Sequence, residues 1–130
     1  MIASSDVISL HIPATAESVN LINKREFELM KDSCIIINTA RGDIINEAAL
    51  IEALTNNVIL GAGLDVFPQE PLMENHPLTK LSNVVISPHV GGMAEAATMK
   101  GLEMTIDNLE SFAQGNPLYV VAKGSDSHLS

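Results

Sequence analysis

Three polar residues, Arg41, Glu70 and His89, follow apolar stretches and carry side chains that together suit the oxidation of a 2-hydroxy acid. An arginine stays charged at any working pH, and its fork of N–H donors fits a carboxylate. A histidine titrates near neutrality, so it can take a hydroxyl proton while hydride leaves the carbinol carbon. A glutamate beside the histidine would orient the ring and favour its protonated form. In this hypothesis Arg41 binds the acid, His89 handles the proton and Glu70 supports His89.

Each of the three also has a structural interpretation that spacing alone does not exclude. Arg41 could form a surface ion pair with Asp43 or Glu47, which is the favoured interpretation of an isolated arginine. Glu70 in isolation fits an ordinary exposed loop acid. His89 lies between a proline and two glycines, a setting in which close approach of a ligand and a structural role are about equally favoured.

Other groups with reactive side chains leave similar choices. Asp65 ends an apolar stretch, where a carboxylate needs a partner, and both structural pairing and ligand binding remain open. His76 lies in a loop and His128 in the C-terminal tail, and both are interpreted as incidental. Cys34 is the only cysteine and lies in an isoleucine run, which favours a small buried residue over a nucleophile. No metal site is predicted.

The composition indicates a folded domain and excludes some partners. Hydrophobic residues make up 46% of the 130 residues and aromatic residues 3%, so the core must be aliphatic. A net charge of −9, from 7 basic and 16 acidic residues, argues against binding to nucleic acid or to an anionic membrane surface. The sequence has no run of roughly 20 apolar residues and no basic leader, so a reducing, cytoplasmic setting is expected.

The elements that must position these residues alternate between strands and helices, which predicts βαβ units and an α/β fold with a parallel, Rossmann-like sheet covered on both faces. Ligands of such sheets lie beyond the carboxyl ends of the strands. A long helix at 93–114 follows, and then a frayed polar tail at 123–130. The predicted strands are 7–11, 35–38, 59–66 and 84–87. Two shorter helices are predicted, one beginning after Asn23 and the other after Asn46. The apolar face of the first helix is predicted to consist of Phe27, Met30 and Leu29.

Gly61 and Gly63 begin a pattern similar to a dinucleotide phosphate loop. The third glycine is replaced by Val66, and the two glycines fall within a predicted strand. We therefore interpret them as small residues that let neighbouring backbone approach closely.

Three motifs resemble the signatures of the D-isomer-specific 2-hydroxyacid dehydrogenase family, in the order INTARGDIINEAAL, GAGLDVFPQEPL and NVVISPHVGG. The segment SDVISLHIPAT resembles an earlier strand and turn of that family, and the similarity weakens after about Leu118. The resemblance implies that Arg41 binds the substrate carboxylate, that Glu70 supports the histidine and that His89 is the acid/base. It implies NAD as the cofactor, with NADP not excluded. The positions that would line this cofactor are His11, Thr39, Ala40, Arg41, Asp65, His89, Val90, Gly91 and Gly92.

The resemblance also implies a division of the chain. Residues 1–92 correspond to the second half of a nucleotide-binding domain, and residues 93–130 to an interdomain helix and the tail of a substrate domain. The GxGxxG loop of the family is not in the sequence, so we expect a fragment that is inactive alone and that either forms a homo-oligomer or associates with the missing N-terminal half. The alternatives are a non-catalytic dinucleotide-sensing or scaffold module, whose incomplete sheet exposes an edge, and a non-functional remnant. Met93 and Ala94 stand where many members have Ser or Thr.

Overall fold

The computed structural model describes residues 1–120, and the chain divides into two compact units between Gly91 and Gly92. The tail predicted at 123–130 lies outside the described residues. The predicted α/β fold with a long C-terminal helix is confirmed. The strands are β1 (Val7–Leu10), β2 (Ile35–Asn38), β3 (Gly61–Leu64) and β4 (Val84–Ile86), the helices are α1 (Lys24–Glu28), α2 (Glu47–Thr55) and α3 (Glu95–Ala113), and short 3-10 turns span Ile2–Ser4, Gly42–Ile44 and Pro77–Lys80.

The four strands form one parallel sheet in the order β1-β2-β3-β4. Three of them, β1, β3 and β4, are shorter than predicted, and only β2 has the predicted bounds. One further bond continues on each side of β3, from the Asp65 amide to the Asn38 carbonyl at 3.0 Å and from the Ser87 amide to the Leu64 carbonyl at 2.9 Å. The carboxyl ends of β2, β3 and β4 therefore lie side by side at one edge of the sheet.

The core is aliphatic, as the composition predicts, and it lies around the two central strands. Ile36 of β2, Leu54 of α2 and the ring of Phe27 in α1 are almost completely buried. Cys34 is fully buried, and desolvation raises the pKa of its thiol, so it is a packing residue. The edge strands differ from the prediction of a sheet covered on both faces, since Val7 of β1 and Val85 of β4 are 54% and 74% exposed.

The helix starts follow their capping residues. Asn23 and Glu26 form the predicted capping box of α1, in which the Asn23 amide donates to Glu26 Oε2 at 3.1 Å. The Asn46 side chain accepts from the Ala49 amide at 3.0 Å and caps α2. Phe27 is buried in α1 as predicted, whereas Leu29 is 50% exposed, so its assignment to the apolar face is wrong.

Helix α3 begins two residues later and ends one residue earlier than predicted. It ends where Gly115 takes a left-handed conformation with φ 81°, which glycine adopts without a steric penalty. The Gly115 and Asn116 amides donate to the Phe112 and Ser111 carbonyls. Within residues 1–120, no helix has both the length and the apolar character needed to cross a membrane.

Glycines let the backbone approach closely at two points of the sheet. A β-carbon on Gly61 would lie 2.7 Å from the Asn83 carbonyl oxygen, which confirms the interpretation of this glycine. The same interpretation is wrong for Gly63, where a β-carbon would make an ordinary 3.8 Å contact with Ile37. At Gly42, after β2, a β-carbon would lie 2.0 Å from the Phe67 carbonyl carbon, so the turn after β2 packs directly on the loop after β3.

The replacement Gly42→Ala is expected to destabilise the sheet strongly, because the Phe67 backbone cannot move aside as a flexible side chain could. We expect a loss of about 2–3 kcal/mol in the free energy of unfolding, measured by urea denaturation. Gly63→Ala is the matched control within the same sheet, and it should cost less than about 1 kcal/mol. Equal effects of the two replacements would contradict the close packing at Gly42.

Candidate active site

The histidine and glutamate singled out in the sequence are in direct contact. His89 Nδ1 lies 2.8 Å from Glu70 Oε2, although the two residues are 19 positions apart in the sequence. The other oxygen of Glu70 accepts a hydrogen bond from the Phe67 amide at 2.9 Å. Because an ionised carboxylate only accepts, the shared proton belongs to Nδ1, and Nε2 is left as the second functional nitrogen of the ring.

These contacts also favour the ionised form of Glu70. The hydrogen bond from His89, followed in importance by the one from the Phe67 amide, lowers the pKa of Glu70 below its usual value. The Glu70 carboxylate is therefore ionised at neutral pH and can stabilise an imidazolium. Both side chains are partly exposed, at 48% for His89 and 36% for Glu70, so a small molecule can reach the ring.

Asp65 is held by structural hydrogen bonds and is only 3% exposed. Its Oδ1 accepts from Ser87 Oγ at 2.6 Å and from the Val90 amide at 2.9 Å, and its Oδ2 accepts from the Gly91 amide at 2.7 Å. The Ser87 hydroxyl makes the largest contribution to a lowered pKa of Asp65, followed by the Val90 amide. Of the two alternatives left open by the sequence, structural pairing is therefore present.

Arg41 lies at the end of β2, in a turn fixed by a buried amide. The Asn38 side chain donates to the Arg41 carbonyl at 2.9 Å and accepts from the Ala40 amide at 3.1 Å. The Arg41 side chain is exposed, and its Nη1 donates to the Ala40 carbonyl at 2.7 Å. Within the described residues it forms no ion pair with Asp43 or Glu47, so the surface ion-pair interpretation is wrong.

Packing between the loops brings the three strand ends together. The turn after Arg41 packs on the Phe67 backbone through Gly42, and Phe67 in turn bonds to Glu70. A β-carbon on Gly91 would lie 3.8 Å from the Thr39 β-carbon, so the loop after β4 approaches the end of β2. Arg41 therefore lies at the same edge of the sheet as the His89–Glu70 pair.

An apolar cavity of about 560 Å³ opens beside this pair. Its walls come from the loop after β3 and from the end of β4, and both Glu70 and His89 line it. A partly enclosed apolar surface next to one titratable pair is typical of small-molecule sites. The apolar walls are formed by Phe67, Pro71, Leu72, Met73, Ile86 and Pro88.

The remaining predicted cofactor positions, apart from Gly92, are distributed along the same edge of the first unit. His11 follows β1, is exposed, and has its Nε2 2.8 Å from Ser9 Oγ. Thr39 is exposed and Ala40 is half-buried after β2, while Val90 is 40% exposed after β4. Gly92 begins the second unit, and a β-carbon there would meet no atom within 4 Å.

Sequence reasoning missed two residues that shape the site and one contact outside it. Asn38 and Ser87 hold the strand ends, and the signal for Asn38 was an amide at the end of a buried apolar strand, which requires hydrogen-bond partners. His76 is not an isolated loop residue, since its Nε2 lies 3.3 Å from Glu47 Oε1. That contact ties the loop after β3 to the first turn of α2.

The acid stability of the fold should depend on Asp65. Its pKa is lowered in the folded state, so its stabilising contribution is complete above the ordinary carboxyl pKa of about 4 and is lost as the pH falls through the lowered value. We expect Asp65→Asn to reduce stability at neutral pH and to flatten the decline in acid, as measured by urea unfolding at a series of pH values. The exposed control Asp32→Asn should change stability by less than about 0.5 kcal/mol. An unchanged decline in Asp65→Asn would contradict the assignment.

Comparison with known proteins gives one family. A family model described as D-isomer specific 2-hydroxyacid dehydrogenase, NAD binding domain, matches residues 1–91. A glyoxylate reductase from Aeropyrum pernix is 43% identical over 115 residues, which are 88% of this chain and 34% of that protein. The chain thus spans about a third of this relative.

Solved structures give the same fold. An acyclic imino acid reductase in complex with NADPH and D-Arg superposes with a TM-score of 0.86 at 36% identity, covering 93% of this chain and 38% of that one. The NAD-complexed D-isomer specific 2-hydroxyacid dehydrogenase from Lactobacillus delbrueckii ssp. bulgaricus superposes with a TM-score of 0.83 at 30% identity, covering 92% and 41%.

Proposed function

This chain belongs to the D-isomer-specific 2-hydroxyacid dehydrogenase family, and we propose on that basis that it supplies the acid/base and acid-binding part of an oxidoreductase. The reaction would transfer hydride between NAD(P) and a small 2-hydroxy or 2-oxo acid. The observation that carries the proposal is the 2.8 Å contact of His89 with Glu70 beside an apolar cavity. A structural ion pair would gain nothing from facing a cavity, whereas an acid/base needs access to its substrate.

The proposed roles follow from the chemistry of each side chain. Arg41 binds the substrate carboxylate through its planar fork of donors. When the 2-oxo acid is reduced, protonated His89 donates from Nε2 to the carbonyl oxygen, and in the reverse direction Nε2 accepts the hydroxyl proton. Glu70 keeps the ring oriented through Nδ1 and stabilises the imidazolium.

The groups at this edge of the sheet suit the nicotinamide end of a dinucleotide. The nicotinamide supplies the hydride when the dinucleotide is bound. Small or exposed groups there leave room for a flat ring, and Thr39 and Arg41 offer donors to its substituents. Asp65 could offer a carboxamide only its unused lone pairs, because both of its oxygens already accept hydrogen bonds. The positions of the first unit proposed to contact NAD, with NADP as the other candidate, are His11, Thr39, Ala40, Arg41, Asp65, His89, Val90 and Gly91.

We further propose that residues 1–92 act as the second half of a nucleotide-binding domain and that residues 93–130 act as an interdomain helix and tail. The phosphate-binding loop and the opposite wall of the substrate cleft would then come from a partner segment. The 34% coverage of the glyoxylate reductase and the lack of GxGxxG in the sequence support this division. The neutral thiol of buried Cys34 is compatible with a reducing, cytoplasmic compartment.

The purified 130-residue chain is expected to show little or no NADH oxidation with glyoxylate, hydroxypyruvate or 2-oxoglutarate, because part of the cofactor site is not in its sequence. Robust turnover would contradict this expectation.

A hybrid enzyme tests the function itself. In this hybrid, the matched segment of the Aeropyrum pernix glyoxylate reductase is replaced by the residues of this chain. We expect the hybrid to oxidise NADH with a 2-oxo acid. A folded hybrid that binds NADH without turning over any of the three acids would contradict the dehydrogenase proposal and favour a dinucleotide-sensing module.

A further inference from the structure

We propose that Asp65 and Ser87 are positioning residues, which hold the loop from Ser87 to Gly91 in the shape that brings the His89 ring against Glu70. The family resemblance implies a cofactor contact for Asp65, and its hydrogen bonds add a second role in the support of the histidine. The catalytic consequence of this inference rests on the proposed function, but the positioning itself does not.

The hydrogen bonds converge from one short loop. All three donors to the Asp65 carboxylate lie within five residues of the chain, namely the Ser87 hydroxyl and the Val90 and Gly91 amides. His89 lies in the middle of that loop and makes its own contact outward to Glu70. The buried carboxylate thus binds both ends of the loop, Ser87 and Gly91, and holds them together. Since an unpaired buried charge is costly, the carboxylate and the loop geometry depend on each other.

The backbone conformation of His89 explains why the loop needs the hydrogen bonds to Asp65. Its φ of 56° lies in the left-handed region, which is unfavourable for a residue with a β-carbon. This conformation points the consecutive amides of Val90 and Gly91 toward one anion, an arrangement known as a nest. Without the carboxylate, the loop loses three hydrogen bonds that compensate for the left-handed residue, and His89 can relax away from Glu70.

The lack of a side chain at Gly91 is explained by its close approach to Asp65. A β-carbon at this position would lie 2.9 Å from Asp65 Oδ2, which is too close for an unstrained contact. The close approach inferred from this glycine is therefore made by Asp65. Gly91 allows its own amide to reach the carboxylate at 2.7 Å.

The experiment uses the purified 130-residue chain and nuclear magnetic resonance, with no cofactor and no turnover. In the wild-type chain, the amide resonances of Val90 and Gly91 should shift with pH together with the Asp65 carboxyl carbon, at a pKa below that of an ordinary aspartate. If these amides instead follow only the Glu70 carboxyl, the proposal is overturned. This measurement needs no variant, so it does not depend on whether a mutant folds.

Variants separate positioning from simple stabilisation. In Ser87→Ala, amide exchange at Val90 and Gly91 should become roughly tenfold faster, because the loop loses a hydrogen bond to a charged group. The Glu70 carboxyl should titrate at a higher pH in the same variant, since its contact with His89 loosens. Ser87→Thr keeps the hydroxyl and should restore both values.

A purely structural role of Asp65 predicts a different result. If Asp65 only stabilises the fold, Ser87→Ala should lower the free energy of unfolding and leave the titration of Glu70 unchanged. That outcome would overturn the proposal. Failure of the positioning proposal would leave the hybrid enzyme active, so it can be distinguished from failure of the proposed function.

Discussion

In the hybrid enzyme, His89→Asn is expected to lower kcat by about 10²–10⁴-fold, the range typical for loss of a positioned general acid or base. Asparagine is close in size and can still donate a hydrogen bond to Glu70, but it cannot carry a proton to or from the substrate oxygen. The KM for the 2-oxo acid should change much less, because Arg41 would still bind the carboxylate. Steady-state NADH oxidation at saturating cofactor measures both constants.

His76→Asn is the matched control for this replacement. His76 also pairs with a glutamate, since its Nε2 lies 3.3 Å from Glu47 Oε1, and its side chain is 19% exposed. It does not line the cavity beside His89. We expect kcat of the His76 variant to stay close to that of the parent hybrid. A similar loss in both variants would mean that the effect at position 89 comes from the fold rather than from proton transfer.

The second large effect is expected at Arg41, where replacement should mainly impair substrate binding. Hydrogen bonds to charged groups contribute about 1.5–3 kcal/mol each, so losing a bidentate contact in Arg41→Gln should lower kcat/KM by roughly 10²-fold or more. Arg41→Lys keeps the charge but not the planar fork, and it should fall between the parent and Arg41→Gln. The ratio of kcat/KM values for glyoxylate reports these differences.

Arg25 is the other arginine of the chain and provides the control for this series. It lies on α1, which is not among the elements that carry the strand-end residues. Arg25→Gln should leave kcat/KM unchanged. If Arg41→Gln is as active as Arg25→Gln, then Arg41 does not bind the substrate carboxylate.

The sequence predicts the elements well where local rules determine them. Strand β2 has a continuous run of isoleucines because it is central in the sheet, and its bounds are those predicted. The capping box at Asn23 and the cap at Asn46 mark the helix starts correctly. The polar residues expected at strand ends do lie at one edge, because parallel strands share the direction of their carboxyl ends.

The details of the site depend on contacts that no local pattern encodes. The bonds from Ser87 and Val90 to Asp65 join residues more than 20 positions apart, and they supply the structural pairing that the sequence left open for Asp65. The pairing of His76 with Glu47 joins a loop to a helix 29 positions away. The reason for Gly91 is equally non-local, since the atom that excludes a β-carbon belongs to Asp65.

The most direct test of the central claim is a crystal structure of the hybrid His89→Asn variant with NADH and glyoxylate bound. We expect both guanidinium donors of Arg41 to contact the glyoxylate carboxylate. We also expect the asparagine at position 89 to keep its contact with Glu70 and to face the carbonyl oxygen across the space that the imidazole Nε2 fills in the parent hybrid. Glyoxylate bound elsewhere, with Arg41 directed to solvent and position 89 distant from the carbonyl, would contradict the claim that these strand ends form one catalytic site.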